Sequence, residues 1–278
     1  MTPADEAQLA LLYEVAGTPK PGNVDRARDH EDLHFEQFLA GAVGARSGLA
    51  AAESGERVGA SFEEAVSGMA AAARTNTQFG ALLLLVPLVR TASEGPLTPE
   101  RARRTVDETT VEDAADFYRA FEHVDVALDD PPADADALDA RRGRDAIPAL
   151  RKRGLTLAEV LALGADSDDV AAELVGEFER TFRAAADIEE RSGPYSERAA
   201  ATFFRLLAAE ADTLVATTHG PEVAAAVRRR AADLLDAEAP AKEAFADELV
   251  SRDINPGTTA DITAAGLFVA LHRGEGDD

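Results

Sequence analysis

The chain has 278 residues, no cysteine, and 52 acidic against 28 basic residues, for a formal net charge of −24. Without cysteine it has no disulfide, no thiolate nucleophile and no Cys-built zinc or iron–sulfur site, and its negative charge disfavours nucleic acid and anionic membrane as partners. Apolar residues make up 46%, enough for a sizeable core at this length and too many for an acidic disordered segment.

Only Lys20, Lys152 and Lys242 are lysines, and the acidic residues are spread along the whole chain. Such a surface suits molar salt, where the Debye length falls to roughly 3 Å and self-repulsion is screened. Halophilic adaptation is therefore expected. The N-terminus lacks the basic start and apolar run of a signal peptide. The most apolar run, Phe79 to Val89, contains Pro87 and falls well short of the roughly 20 residues of a membrane span. A cytoplasmic protein is expected, with neither nucleic acid nor membrane as partner.

Ala, Leu, Glu and Arg dominate, β-branched runs are absent, and apolar residues recur at intervals of three and four. This predicts an all-α fold of about a dozen helices in one domain, 1–278, without strands or repeats. The first helix, 5–17, carries Leu9, Leu12, Tyr13 and Val15 and ends at Gly17 and Pro19. Directly after it, Lys20-Pro21-Gly22-Asn23-Val24-Asp25-Arg26 sets two cations and a carboxylate around a Pro-Gly turn. Turn chemistry alone explains half of this. The other reading gives Lys20 and Arg26 phosphate oxygens to hold, and makes Asp25 a Mg²⁺ ligand or a base.

His30-Glu31-Asp32-Leu33-His34 has the spacing of a zinc-protease helix. That chemistry needs an amphipathic helix, and the polar run 25–29 before it supplies none, so zinc hydrolysis is disfavoured. Helices follow at 35–53, at 61–74 from a capping box at Ser61 and Glu64, and at 77–92. Thr75-Asn76-Thr77-Gln78 stands at the start of the last of these. Those residues read as an N-cap and, equally, as a place where free N–H groups meet an anion. Thr98-Pro99-Glu100 opens another helix, and 110–123 forms one with Phe117, Tyr118 and Phe121.

Segment 125–146, with Asp129-Asp130-Pro131-Pro132, is the linker or variable-loop candidate. Further helices are expected near 156–163, 167–189, 195–216, 221–236, 238–250 and 258–272. Asp212-Thr213 falls inside 195–216, where an exposed acidic residue is the default reading. Asn255-Pro256-Gly257-Thr258-Thr259-Ala260-Asp261 leads into the last helix, with Thr258 as N-cap and Asp261 in the first turn. No Walker loop, G-x-G-x-x-G or Ser-His-Asp triad occurs.

Taken in order, these segments resemble the triphosphoribosyl-dephospho-CoA synthase family of the CitG type. The family's T-x-P-K-P-G-L-V-D-R is nearly Thr18-Pro-Lys-Pro-Gly-Asn-Val-Asp-Arg26, and its H-x-D-M-x-F is met by His30, Asp32 and Phe35. Its D-T-x-V is Asp212-Thr213-Leu-Val215, and S-P-G-G-S-A-D-L is Asn255-Pro-Gly-Thr-Thr-Ala-Asp-Ile262. Its G-G-V-N-T-H-K-G becomes Arg74-Thr-Asn-Thr-Gln-Phe-Gly80, which loses the paired glycines and replaces His-Lys by Gln78-Phe79.

The resemblance implies transfer of a 5-triphosphoribosyl group from ATP to the 2′-hydroxyl of 3′-dephospho-CoA, with adenine as leaving group and Mg²⁺ as cofactor. It further implies Asp25, Asp212 and Asp261 as the carboxylates for metal and base roles. Lys20 and Arg26 would hold phosphate, and Asn76, Thr77, Thr213 and Thr259 the nucleotide. The changed Gln78-Phe79 leaves two alternatives open: ribosyl or phosphoribosyl transfer to another, pterin-type acceptor, and nucleotide binding without catalysis. No oligomeric state is implied.

Overall fold

Helix starts in this chain are set by short polar side chains. Thr2, Thr110 and Thr156 each close a capping box with the acidic residue three positions on, and Thr98 caps ahead of Pro99. The computed structural model of the protein describes residues 1–129, 131 and 135–274, and among these it is all-α. In chain order come α1 Pro3–Ala16, α2 Phe35–Gly44, α3 Arg46–Glu53, α4 Val58–Ala73, α5 Phe79–Ser93, α6 Pro99–Asp107 and α7 Val111–Ala120. Two 3₁₀ turns, Asp136–Leu138 and Ala140–Ala146, precede α8 Ile147–Arg153, α9 Leu157–Gly164, α10 Asp169–Val175 and α11 Glu179–Glu190. The chain closes with α12 Tyr195–Ala209, α13 Thr213–His219, α14 Pro221–Asp233, α15 Ala239–Ser251 and α16 Gly257–Gly274.

Three expected helices are broken, each by a tertiary demand. The 35–53 helix kinks at Ala45, after Gly44 has packed against the Gly68 carbonyl of α4. The 167–189 helix stops at Gly176. A new one begins after Phe178, whose buried ring is bought with a left-handed backbone (φ 53°). Glu173 of α10 then caps α11 from outside, accepting the Arg180 and Thr181 N–H groups at 3.0 and 2.8 Å. The 195–216 helix divides because Asp212 caps α13 through the Val215 N–H at 3.0 Å. Ser61 caps nothing, since α4 already starts at Val58 and buries it.

The core is built around α5 and α16, which are apolar on nearly every face and bury almost their whole length. They pack on each other. Helix α16 also meets α1, α11 and α12, and α5 meets α3, α4 and α6. A smaller cluster joins α12 to α15 through Phe203, Phe204, Leu207, Val227, Phe245 and Leu249. The proposed linker 125–146 is only partly within the described residues, since 130 and 132–134 lie outside them. Its second half is part of the fold: Leu138 is buried and its carbonyl accepts the Tyr118 hydroxyl at 2.6 Å.

Residues 18–34 cross between these clusters as a non-helical strap. Gly22 has φ 74° and lies so close to the chain ahead of α16 that a Cβ there would fall 2.1 Å from the Ile254 carbonyl oxygen. His30 fixes the same turn, donating from Nε2 to the Gly22 carbonyl at 2.7 Å, with Nδ1 3.1 Å from Asp253. The His-x-x-x-His spacing therefore serves no helix: His30 is a strut, and His34 is the exposed residue before α2. Gly22→Ala is expected to lower unfolding free energy by at least about 2 kcal/mol, from backbone strain plus overlap. Urea denaturation with an unchanged m-value measures it.

Candidate active site

A cavity of about 550 Å³ opens where the first turns of α5 and α16 meet, walled by α1, α7, α9, α13 and residues 126–129, 131, 135 and 138–140. Four of the sequence candidates line it: Asn76, Thr77, Thr213 and Asp261. So do Glu14, Asn23, Gln78 and Asp168, which the sequence reading did not select. Six carboxylates line it in all, those of Glu14, Asp129, Asp139, Asp166, Asp168 and Asp261. Among the described residues no Lys, Arg or His does.

The cations of the first motif are used elsewhere. Lys20 is fully buried behind the wall, with Nζ donating to Glu14 Oε1 at 2.5 Å and Asn23 Oδ1 at 2.7 Å, and lying over the Phe203 ring. It therefore does not face the cavity as a phosphate ligand. Asn23 passes the connection on, donating to Asn255 Oδ1 at 2.9 Å. Asp25 is equally enclosed. It accepts from the Thr18 hydroxyl, the Lys20 and Ala27 N–H groups and the Arg28 guanidinium, which leaves it a loop organiser rather than a base or metal ligand. Arg26 is exposed and away from the cavity. Its neighbour Arg28 is the cation folded in, bridging Asp25 to Glu243 and Asp247 of α15.

Asp212 also stands behind the wall. Its second oxygen accepts the Thr259 N–H and hydroxyl, both at 2.7 Å, so this carboxylate and Thr259 lock the start of α16 to the start of α13. Thr258 does not cap α16 as expected; its hydroxyl meets Thr213 Oγ1 at 3.1 Å. Among the described residues no group of three or more His, Asp or Glu side chains is arranged to hold a metal. Asp25, Asp212 and Asp261 therefore do not gather as one metal set.

Asp261 is the carboxylate left facing inward. Gly80 makes room for it: a Cβ on that residue would come within 2.1 Å of Asp261 Oδ2. Burial pushes the Asp261 carboxyl well above the usual range, and the nearby Glu14 pushes it further; the Ala81 N–H opposes them, and Asp212 and Asp168 add to the rise. Burial raises Glu14 as well, against the pull of Lys20. Asp168 and Asp212 are raised by the same desolvation, each against hydrogen bonds from backbone N–H groups. Of these four carboxylates Glu14 has Lys20 as its countercharge and Asp212 lies behind the wall. That leaves Asp168 and Asp261 as the raised cavity carboxylates with no cation set against them among the described residues, an arrangement found at functional sites.

The starts of α5 and α16, the two longest buried helices, point at the same space. Asn76 organises the α5 start, accepting the Phe79 N–H at 3.2 Å and donating to the Asp125 carbonyl at 3.2 Å. Phe79 belongs to an aromatic wall, its ring centroid 5.0 Å from Phe62 and 4.9 Å from Phe121. The family's cation at that position is thus replaced by part of an apolar surface.

Comparison with known proteins gives a consistent picture. The sequence profile described as CitG, ATP:dephospho-CoA triphosphoribosyl transferase, matches residues 1–277. A crystal structure described as a "putative triphosphoribosyl-dephospho-coA synthase from Archaeoglobus fulgidus" superposes with a TM-score of 0.70 at 25% identity, covering 85% of this chain and 99% of that one. No curated protein matches.

Two expectations follow from the geometry. Lys20→Met, which strands the Glu14 carboxylate, is expected to cost about 3–5 kcal/mol of stability; a phosphate ligand at the surface of a cavity would cost far less. The second concerns pH. The folded Asp261 binds its proton more tightly than the unfolded chain, so its contribution is complete below the ordinary value of 3.8 and is lost as pH rises through the raised one. Asp261→Asn should therefore gain in melting temperature over the parent as pH is taken from 4 to 8, at about 2–4 °C per kcal/mol. Differential scanning fluorimetry of the pair across that range checks it, and parallel profiles contradict it.

Proposed function

The chain belongs to the CitG family of ATP:dephospho-CoA triphosphoribosyl transferases, and from that premise we propose how its own cavity serves the reaction. The enzyme transfers the triphosphoribosyl group of ATP to dephospho-CoA. In the reaction the bond from ribose C1′ to adenine breaks, and a bond from C1′ to the acceptor hydroxyl oxygen forms. The hydroxyl proton passes to a base, and adenine leaves with the electron pair of the broken bond and takes up a proton on its ring, so that one proton is lost by the hydroxyl and one gained by the leaving group. C1′ becomes cationic on the way, as in glycoside cleavage, and a carboxylate on its flank stabilises it.

Asp261 is the proposed base. The observation that carries this reading is its position: a cavity carboxylate, just past the first turn of α16, whose affinity for a proton is raised by burial and by Glu14. Asn76 and Thr77 at the α5 start, with Thr213 across the cavity, are the proposed nucleotide contacts. The N-terminal ends of α5 and α16 favour anionic groups between them.

The lining also supports Mg²⁺. A triphosphate enters a space edged by six carboxylates and, among the described residues, by no basic side chain, so its charge has to be met by cations that accompany it. Mg²⁺ is characteristically held by one or two carboxylates together with substrate phosphates, and with Asp261 kept as the base the other carboxylates of the lining are the candidates to hold it. When bound, the metal supplies charge neutralisation at the phosphate oxygens.

Purified protein incubated with ATP, Mg²⁺ and dephospho-CoA should release adenine, read by chromatography, and Asp261→Asn should slow the release by at least about 100-fold. ATP binding followed by calorimetry should weaken when Mg²⁺ is withheld. Full activity in Asp261→Asn would remove this residue from the chemistry.

A further inference from the structure

Gln78 lines the cavity with only 4% of its surface exposed, and neither Nε2 nor Oε1 of its carboxamide has a partner. The hydroxyl of Thr77, immediately before it, is buried and unpartnered too. Buried polar atoms are nearly always hydrogen-bonded, and three such atoms on adjacent residues at a cavity wall mark a place where a ligand completes the bonding. The usual structural use for Gln78 is not taken up. It occupies the cap position of α5, yet its side chain caps nothing, and its own N–H is already engaged by Met69 Sδ at 3.3 Å. Bare Gly41 on α2 is what lets these two side chains lie where they do, since a Cβ there would sit 2.4 Å from Thr77 Oγ1 and 3.3 Å from Gln78 Oε1.

The chemistry of these atoms selects the ligand class. A carboxamide is neutral, so it is poorly matched to phosphate, for which Lys or Arg is the suited partner. It offers a donor and an acceptor side by side, which is the complement of a ring nitrogen next to an exocyclic amino group. Flat apolar surface for such a ring is close by, in Phe38 and Phe79, which line the same cavity. We propose that the Gln78 carboxamide, with the Thr77 hydroxyl beside it, receives the amino-bearing edge of an adenine base.

This rests on the reading that the cavity takes the nucleotide substrates, both of which carry adenine. Calorimetry on the intact protein compares ATP with purine riboside triphosphate, which lacks the amino group, for the parent and for Gln78→Leu. A parallel arm compares dephospho-CoA with its purine counterpart. The parent should prefer the amino-bearing ligand by about 10-fold or more in one arm, and that arm identifies whose adenine is held. Gln78→Leu should bind the two ligands of that arm about equally.

Loss of affinity by the same factor for both ligands in Gln78→Leu would mean a structural role and would overturn the proposal. So would a parent that fails to discriminate in either arm, a result that stands even where the variant does not fold. Discrimination without adenine release would sink the catalytic reading alone, and adenine release without discrimination would sink only this one.

Discussion

The buried ion pair between Lys20 and Glu14 holds the rest of this molecule in register. Two charges cannot be taken out of water cheaply, so each must keep the other and also find neutral partners. Lys20 does so with Asn23 and the face of Phe203, and Asn23 then reaches Asn255. Four places far apart in sequence are in this way tied to one ammonium group: the end of α1, the strap, α12 and the approach to α16. The pair also sets the character of the cavity. Lys20 compensates Glu14 and lies behind it, so its charge is spent before it reaches Asp261, which is left facing Glu14 with a raised affinity for a proton.

A second lock complements the first. Asp212 caps α13 with one oxygen and grips Thr259 with the other, which fixes where α16 begins. Asp261 stands just past the first turn of that helix, against the space that Gly80 leaves on α5. The placement of the inward-facing carboxylate therefore depends in part on Asp212 and Thr259, which do not line the cavity. Arg28 extends the same principle outward, joining the strap to α15 through carboxylates on both sides.

Much of the fold is legible in the sequence because its helix starts are local events. A threonine with an acidic residue three positions later marks α7 and α9, and proline after threonine marks α6. The divisions at Phe178 and Asp212 were not legible, because the Phe178 ring is buried in the core and Asp212, besides its local cap on Val215, is held inside by Thr259 at a sequence separation of 47. At the site, the motif segments do converge on one cavity, yet charge was a misleading guide within them. In so acidic a chain the conspicuous residues Lys20, Asp25 and Asp212 are consumed as internal ties, while Glu14 reads as one more surface acid. The available clue was its place, next to Leu11 and Val15 on the buried face of α1. Gln78 carried a different clue, a polar side chain at the mouth of the most apolar helix with no capping role to explain it.

The acid-lined cavity has a consequence for what it admits. Of the six carboxylates that line it, Glu14 is paired with Lys20 and Asp139 with Arg141, but among the described residues no basic side chain itself lines the cavity, so a polyanion there needs cations of its own. On the proposed reading, an anion arriving with its own counterions is accommodated more readily than inorganic phosphate or an uncomplexed nucleotide, which finds only the two helix N-termini in its favour.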